Sequence, residues 1–68
     1  MLMISYRPLW DVLQQRGMDR QDLKARGIVS HATLYRLQNN EPVSMAVLAQ
    51  LCEALDIPVE KVVVFNKV

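Results

Sequence analysis

Two short helical segments, separated by a very short break, constrain the fold of this chain more than any other feature. Asp19, with Asp22 three positions later, matches a capping box and predicts a helix over residues 20–26. Gly27 ends this helix, and Ser30 is a typical N-terminal cap for a further helix. Only three or four residues around Gly27 remain to join the two helices, which predicts a sharp turn between them.

Local signals also predict a helix on each side of this pair. Pro8 is favoured in a first helical turn and Gly17 is a typical C-terminal cap, which together predict a helix over residues 8–16. Ser44 caps a last helix that ends at Asp56, and its apolar residues recur at i, i+3, i+4 and i+7, the period of one helical face. The predicted core stripe of this helix is Leu48, Leu51, Cys52 and Leu55.

Short apolar segments at both ends of the chain predict strands over residues 3–6 and 62–65, and a single turn through Glu60 or Lys61 precedes the second one. Because one strand lies at each end of a helical domain, we predict that the two strands pair. A lone two-stranded sheet is marginally stable, so it would pack on the helices or meet its copy in a second chain. The predicted fold class is mainly all-α, with four to five helices and short N- and C-terminal β-strands.

The composition excludes several other classes of protein. With 68 residues, the chain is expected to form a single domain over residues 1–68 and to be too small for a convincing enzyme. One cysteine and one histidine are too few for a disulfide or a structural zinc site, and two glycines form no phosphate-binding loop. No apolar run approaches the roughly 20 residues that span a bilayer. We therefore expect a cytoplasmic binding module with no cofactor, metal, membrane partner or small-molecule ligand.

The near-neutral net charge of +1 conceals an asymmetry between the two halves of the chain. Residues 7–40 carry six basic and three acidic side chains, whereas residues 41–68 carry two basic and four acidic ones. A positive first half indicates a polyanion as its partner, although an excess of this size also occurs on ordinary solvated surfaces.

The helix that follows Ser30, predicted to run to residue 38, has two different sides. At 100° per residue, Leu34 and Leu37 define the side that faces the core. The opposite side presents side chains that suit a DNA major groove, because Arg can donate two hydrogen bonds to guanine, Asn or Gln can bridge adenine, and Ala can touch a thymine methyl. The outward residues are Ala32, Tyr35, Arg36 and Asn39, with His31 and Gln38 on the flank.

An ordered series of residues extends this pattern along the chain: Leu23, Val29-Ser30, Thr33-Leu34-Tyr35-Arg36-Leu37, Val43-Ser44-Met45, Leu48, Leu51-Cys52 and Ala54-Leu55-Asp56. In this spacing the series resembles the lambda-repressor-like family of DNA-binding domains, also called the Cro-type or xenobiotic-response-element-type family. The opening residues Ile4-Ser5-Tyr6 and Pro8-Leu9-Trp10 are similar to a compact bacterial subgroup with a strand at each end.

Three positions depart from the family pattern. The family places Gly where this chain has Ile28, so the left-handed residue of the turn is expected one position earlier, at Gly27. Lys24 replaces a small residue, and its long side chain must therefore extend outward. Asn39-Asn40 replaces a common Gly, which Asn can do because it tolerates the left-handed region.

The resemblance implies a helix-turn-helix over about residues 19–38 that binds double-stranded DNA with sequence specificity and regulates transcription in a bacterium or phage. It implies base contacts from His31, Ala32 and Arg36. A homodimer is also expected, through the terminal strand or the end of the fourth helix, because one helix in one groove reads few base pairs. Contacts to the DNA backbone or flanking bases are predicted for Arg20, Gln21, Lys24, Ser30, Thr33, Tyr35, Asn39 and Asn40.

Other interpretations of the same residues remain open at this point. Arg36 could pair with a nearby acid, and the ring of Tyr35 could cover an edge of the core, in which Trp10 is also expected. The whole domain could be a protein-interaction module, antitoxin-like or an adaptor, because a fold does not define a function. It could also be a helical domain that only dimerises through its end strands. Salt dependence separates these hypotheses, since phosphate contacts weaken steeply with ionic strength.

Overall fold

Four helices lie between two short strands in a computed structural model that describes residues 1–68. The mainly helical fold with terminal strands predicted from the sequence is therefore confirmed. In chain order the elements are β1 (Leu2–Ser5), α1 (Arg7–Gln15), α2 (Arg20–Ala25), α3 (His31–Gln38), α4 (Met45–Leu55), a 3₁₀ helix (Val59–Lys61) and β2 (Val64–Lys67).

Each of the four α-helices is followed within two residues by a residue with positive φ. These residues are Gly17, Gly27, Asn40 and Asp56, with φ of 69°, 71°, 56° and 53°. After each of them the next backbone N–H bonds back to the carbonyl five residues earlier, at 2.8–3.0 Å. This bond satisfies a carbonyl that the end of a helix would otherwise leave unpaired. Both asparagine and aspartate accept the left-handed conformation with little penalty, which explains why two of the four helices end without glycine.

The two terminal strands pair antiparallel, with Ile4 opposite Phe65 and Leu2 opposite Lys67. Their pairing confirms the prediction, but the second strand lies two residues later than expected. Val62 is not in the strand: it is fully buried, and its N–H bonds to the carbonyl of Val59 at the end of the 3₁₀ helix. The backbone must leave that helix before it can extend, so β2 begins at Val64.

The first strand is also displaced, because it ends at Ser5 instead of Tyr6. Tyr6 adopts φ −102° and ψ 18° as the residue that precedes α1, and it is only 1% exposed. Its side chain enters the core from the junction between β1 and α1. This residue therefore belongs to the core and not to the sheet.

The core draws on every α-helix and on the segment before β2, and three residues expected within it lie at its margin. Trp10, Leu48 and Cys52 are only partly buried, although all three pack against the cluster. In so small a domain a helix buries only a narrow stripe of its surface. On α4 that stripe consists of Leu51 and Leu55. The buried cluster is Tyr6, Leu9, Leu13, Leu23, Val29, Leu34, Leu37, Leu51, Leu55 and Val62.

None of the helices combines the length and the apolar character required to cross a bilayer. The chain also brings no three His, Cys, Asp or Glu side chains together in an arrangement that could hold a metal ion.

Candidate nucleic-acid interface

The first helix of the candidate interface is held at its start by two carboxylates. The Asp22 backbone N–H donates to Asp19 Oδ1, and the Asp19 backbone N–H donates to Asp22 Oδ2, both at 3.0 Å. This is the predicted capping box, which satisfies two backbone donors at once. Leu23, with no solvent exposure, then anchors α2 in the core. The orientation of this six-residue helix is thus defined at both its cap and its buried face.

The turn between α2 and α3 depends on Gly27. Because Gly27 adopts a φ of 71°, the Ile28 N–H reaches the Leu23 carbonyl at 2.9 Å. The Gly27 N–H donates to the Lys24 carbonyl at 3.0 Å. These two bonds form a Schellman motif, in which the left-handed residue is usually glycine. The expectation that Gly27 takes this role in place of Ile28 is confirmed, and Ile28 is free to pack against the core instead.

The second helix begins at Ser30, whose hydroxyl is used twice. Ser30 Oγ accepts from the Thr33 backbone N–H at 3.2 Å and donates to Thr33 Oγ1 at 3.0 Å. Leu34 and Leu37, 3% and 0% exposed, attach the inner side of α3 to the core, as predicted. A capped start and two buried leucines leave this eight-residue helix little freedom to rotate about its axis.

The outer side of α3 is open to solvent. Ala32 lies opposite the two buried leucines, Tyr35 and Arg36 flank it, and His31 stands at the first helical position. Tyr35 is 58% exposed, so its ring does not merely cover the edge of the core. The three side chains predicted to contact bases, those of His31, Ala32 and Arg36, are therefore all exposed on one short helix.

The C-terminal end of α3 is tied to the segment between β1 and α1. Asn39 Nδ2 donates to the Tyr35 carbonyl at 2.8 Å, and Asn40 Oδ1 accepts from the Tyr6 N–H at 3.5 Å. The Tyr6 hydroxyl donates to the Glu41 carbonyl at 2.6 Å. Both asparagine amides thus take part in the fold, although both residues remain exposed.

Tyr6 is a core residue that the alternation of the N-terminal segment does not predict, because the sequence pattern places it in a strand. Its burial raises the pKa of the phenol above the ordinary value of 10.0, because the low-polarity surroundings disfavour the phenolate. The available signal was chemical: a tyrosine next to Arg7-Pro8, where a helix begins, can bury its ring and still find a carbonyl for its hydroxyl.

Charged and polar side chains of α2 lie beside this surface, because α2 and α3 pack on each other. Lys24 extends into solvent, as its length required. The Arg20 guanidinium lies over the ring of Trp10, with its Cζ 4.3 Å from the ring centroid. No local sequence pattern predicts this contact. Of the predicted contact residues only Thr33 is partly buried; the exposed ones are Arg20, Gln21, Lys24, Ser30, His31, Ala32, Tyr35, Arg36, Asn39 and Asn40.

Two short helices joined at a left-handed glycine, the second anchored by leucines and open on its polar side, define a helix-turn-helix domain. A family model described as the Cro/C1-type helix-turn-helix DNA-binding domain matches residues 8–67. The chain belongs to this family, which confirms the resemblance seen in the sequence.

A solved structure shares the whole architecture. The crystal structure of the transcriptional regulator VanUg is 31% identical in sequence and superposes with a TM-score of 0.90, covering 98% of this chain and 89% of that one. A search of curated proteins finds no match.

Proposed function

We propose that this protein binds double-stranded DNA with sequence specificity and regulates transcription. The observation that carries the proposal is the exposure of Ala32 and Arg36 on α3, whose inner side is anchored in the core by the buried Leu34 and Leu37. Specific recognition requires side chains that reach base edges from a fixed frame. Membership of a DNA-binding family and the likeness to a transcriptional regulator support the same function.

In this proposal Arg36 donates to a guanine, Ala32 lies against a thymine methyl group, and His31 reaches a base edge from the start of α3. Ser30 and Thr33 act from the cap, where their hydroxyls already bond each other. The Asn39 amide donates to the Tyr35 carbonyl, so its free oxygen offers an acceptor to a flanking base or a water. These roles divide α3 into a base-reading face and a supporting cap.

Phosphate contacts are assigned to the exposed side chains of α2, which packs beside α3. In the known docking geometry of helix-turn-helix proteins the first helix of the motif crosses the DNA backbone while the second enters the groove. Arg20, Gln21 and Lys24 would then meet phosphates, with Tyr35 and Asn40 on flanking positions. Such contacts position the protein and carry no sequence information themselves.

Selection of bound duplexes from a random pool at two salt concentrations tests this function. We expect a defined site to be enriched, with affinity that falls as salt rises because phosphate contacts release counterions. If the protein retained no duplex at either salt concentration, DNA binding would be refuted. That result would favour the alternative of a protein-interaction module on the same fold.

We further propose that the protein acts as a homodimer through the terminal sheet and the start of α4. Several large apolar side chains are exposed there: Leu2 is 62% exposed, Met3 55%, Phe65 60% and Met45 79%. Met45 and Phe65 line a groove of about 220 Å³, and seven of its eight lining residues are hydrophobic. The lining residues are Ile4, Tyr6, Pro42, Val43, Met45, Leu48, Val63 and Phe65.

A second copy of the chain is the occupant that this surface favours. A two-stranded sheet has unpaired edges on both sides, and a second copy would cover one of them with an identical strand. Pro42 lines the groove and lies two residues after Asn40, the left-handed residue that follows α3, so a two-fold axis there would bring the C-terminal ends of two α3 helices together. Two copies would read two half-sites in place of one.

Sedimentation of wild type and Phe65→Glu tests the dimer. We expect a concentration-dependent dimer for wild type and a folded monomer with weaker DNA binding for Phe65→Glu. Val59→Glu is the matched control, because Val59 is 48% exposed but lies outside the groove. Wild type that stays monomeric with and without DNA, or equal effects of the two variants, would contradict the assignment.

A further inference from the structure

The Trp10 ring and the Arg20 guanidinium form a contact between α1 and the first residue of α2, at 4.3 Å from Cζ to the ring centroid. Trp10 is partly buried against the core, whereas Arg20 is exposed. The indole is therefore held by the core, while its partner is the cation of an exposed side chain. A contact of this kind orients the guanidinium more than it stabilises the fold.

We propose that Trp10 is a positioning residue for DNA binding: it holds the Arg20 guanidinium over its ring so that Arg20 meets a phosphate of the bound duplex. The inference rests on the proposed function. The inference goes beyond that function because it adds a residue of α1 to the interface. From the sequence, Trp10 is expected only as a core residue.

The chemistry of the two groups permits both contacts at once. A guanidinium is planar, and its five N–H donors point outward within that plane. Stacking on an aromatic ring uses the flat face of the group, so the donors at its edge stay free for phosphate oxygens. Arg is also the residue whose fork matches a phosphate with two parallel hydrogen bonds.

Other polar groups close to Arg20 in sequence have partners of their own. The carboxylates of Asp19 and Asp22 accept hydrogen bonds from each other's backbone N–H groups in the capping box. The ring of Trp10 is the recorded contact of the Arg20 guanidinium. Without it, the long side chain would lose more conformational freedom on binding a phosphate, and affinity would fall.

A double-mutant cycle on DNA affinity tests this role, with wild type, Trp10→Leu, Arg20→Gln and the double variant. Leu keeps apolar packing at the margin of the core but removes the ring face. We expect Trp10→Leu to weaken binding about two- to fivefold, the equivalent of one exposed cation–π contact. In the Arg20→Gln background it should have no further effect, and Trp10→Phe should recover most of the loss because it restores a ring.

The salt dependence supplies a readout that a merely structural role would not move. Arg20→Gln should lower the slope of log affinity against log salt by about 1, the signature of one lost phosphate contact. Lys61→Gln removes the same charge from the 3₁₀ helix, which packs on α1 and α4, and should leave the slope unchanged.

The fluorescence of the one tryptophan in the chain checks the contact without DNA. Arg20→Gln should change the Trp10 emission of the free protein, and Lys61→Gln should not. Equal weakening by Trp10→Leu in both backgrounds would overturn the proposal, as would unchanged affinity or an emission that Arg20→Gln does not alter. If wild type bound no duplex while the emission still changed, the contact would stand and the proposed function itself would fail.

Discussion

Removal of one oxygen atom from Tyr6 tests how the N-terminal segment supports the end of α3. In Tyr6→Phe the ring stays in its buried place, where the tyrosine is 1% exposed, and only the hydroxyl is lost. That hydroxyl donates to the Glu41 carbonyl at 2.6 Å, directly after the left-handed residue that ends α3. The variant therefore isolates one hydrogen bond between two distant parts of the chain.

The expected cost follows from the geometry of this bond. A neutral hydrogen bond contributes about 1 kcal/mol net, because unfolding exchanges it for bonds to water. Glu41 is itself exposed, so water can approach its carbonyl and the loss should stay near that value. In a domain of this size, 1 kcal/mol lowers the melting temperature by about 4–8 °C.

Thermal and urea unfolding followed by circular dichroism measure the effect. Tyr35→Phe is the matched control, because Tyr35 is 58% exposed and its loss of a hydroxyl should change the free energy of unfolding by less than about 0.5 kcal/mol. We expect the transition of Tyr6→Phe to shift to lower denaturant with an unchanged slope. Equal stabilities of the two variants would refute the reasoning that Tyr6 joins the N-terminal segment to α3.

Because of the same hydroxyl, we expect the difference in free energy of unfolding between wild type and Tyr6→Phe to change at alkaline pH. The pKa of Tyr6 is raised above 10.0 by burial, so the unfolded chain releases this proton at lower pH than the folded one. The contribution of Tyr6 is thus fully present below pH 10.0 and is lost as pH rises toward the folded pKa. Urea unfolding between pH 8 and 11 should show the stability gap between wild type and Tyr6→Phe narrowing above pH 10. A stability difference that stays constant over this pH range would contradict a raised pKa for Tyr6.

Two further predictions concern the turn and the cap of the helix-turn-helix. Gly27→Ala should lower the free energy of unfolding by about 1 kcal/mol, because its φ of 71° strains a Cβ even though no atom lies within 4 Å of it. Gly27→Asn should cost less, since Asn40 adopts a positive φ after α3. Equal melting temperatures for wild type, Gly27→Ala and Gly27→Asn would contradict a requirement for the left-handed conformation at this position. Ser30→Ala removes the acceptor for the Thr33 N–H and should cost about 1 kcal/mol in urea unfolding, whereas an unchanged midpoint would show that the cap contributes nothing.

The helices could be predicted from the sequence because their signals are local. Asp19 with Asp22, Gly27 and Ser30 each act over at most five residues, and the structure places a capping box, a left-handed turn and a helix start at those positions. The register of β2 could not be predicted in this way. Residues 62–65 all have strand propensity, and the burial of Val62 below the 3₁₀ helix decides where the extended backbone begins.

In the candidate site, too, the features with local signals could be predicted and the contacts between distant residues could not. The period of Leu34 and Leu37 correctly predicted which side of α3 is exposed, since helix geometry alone determines it. The contacts of Trp10 with Arg20, and of Tyr6 with residues beyond α3, join parts of the chain 10 and 35 positions apart. They depend on how α1 packs against its neighbours, which no local pattern contains.

The most direct test of DNA recognition by α3 is the affinity of Arg36→Ala for a duplex selected by the wild-type protein. We expect a loss of about 1–3 kcal/mol in binding free energy, together with relaxed preference at one guanine position. Circular dichroism should show an unchanged fold, because Arg36 is exposed, and Lys61→Ala should bind like wild type. If Arg36→Ala bound the selected duplex as tightly as Lys61→Ala, with the same preference for guanine, the exposed face of α3 would not be the surface that reads DNA.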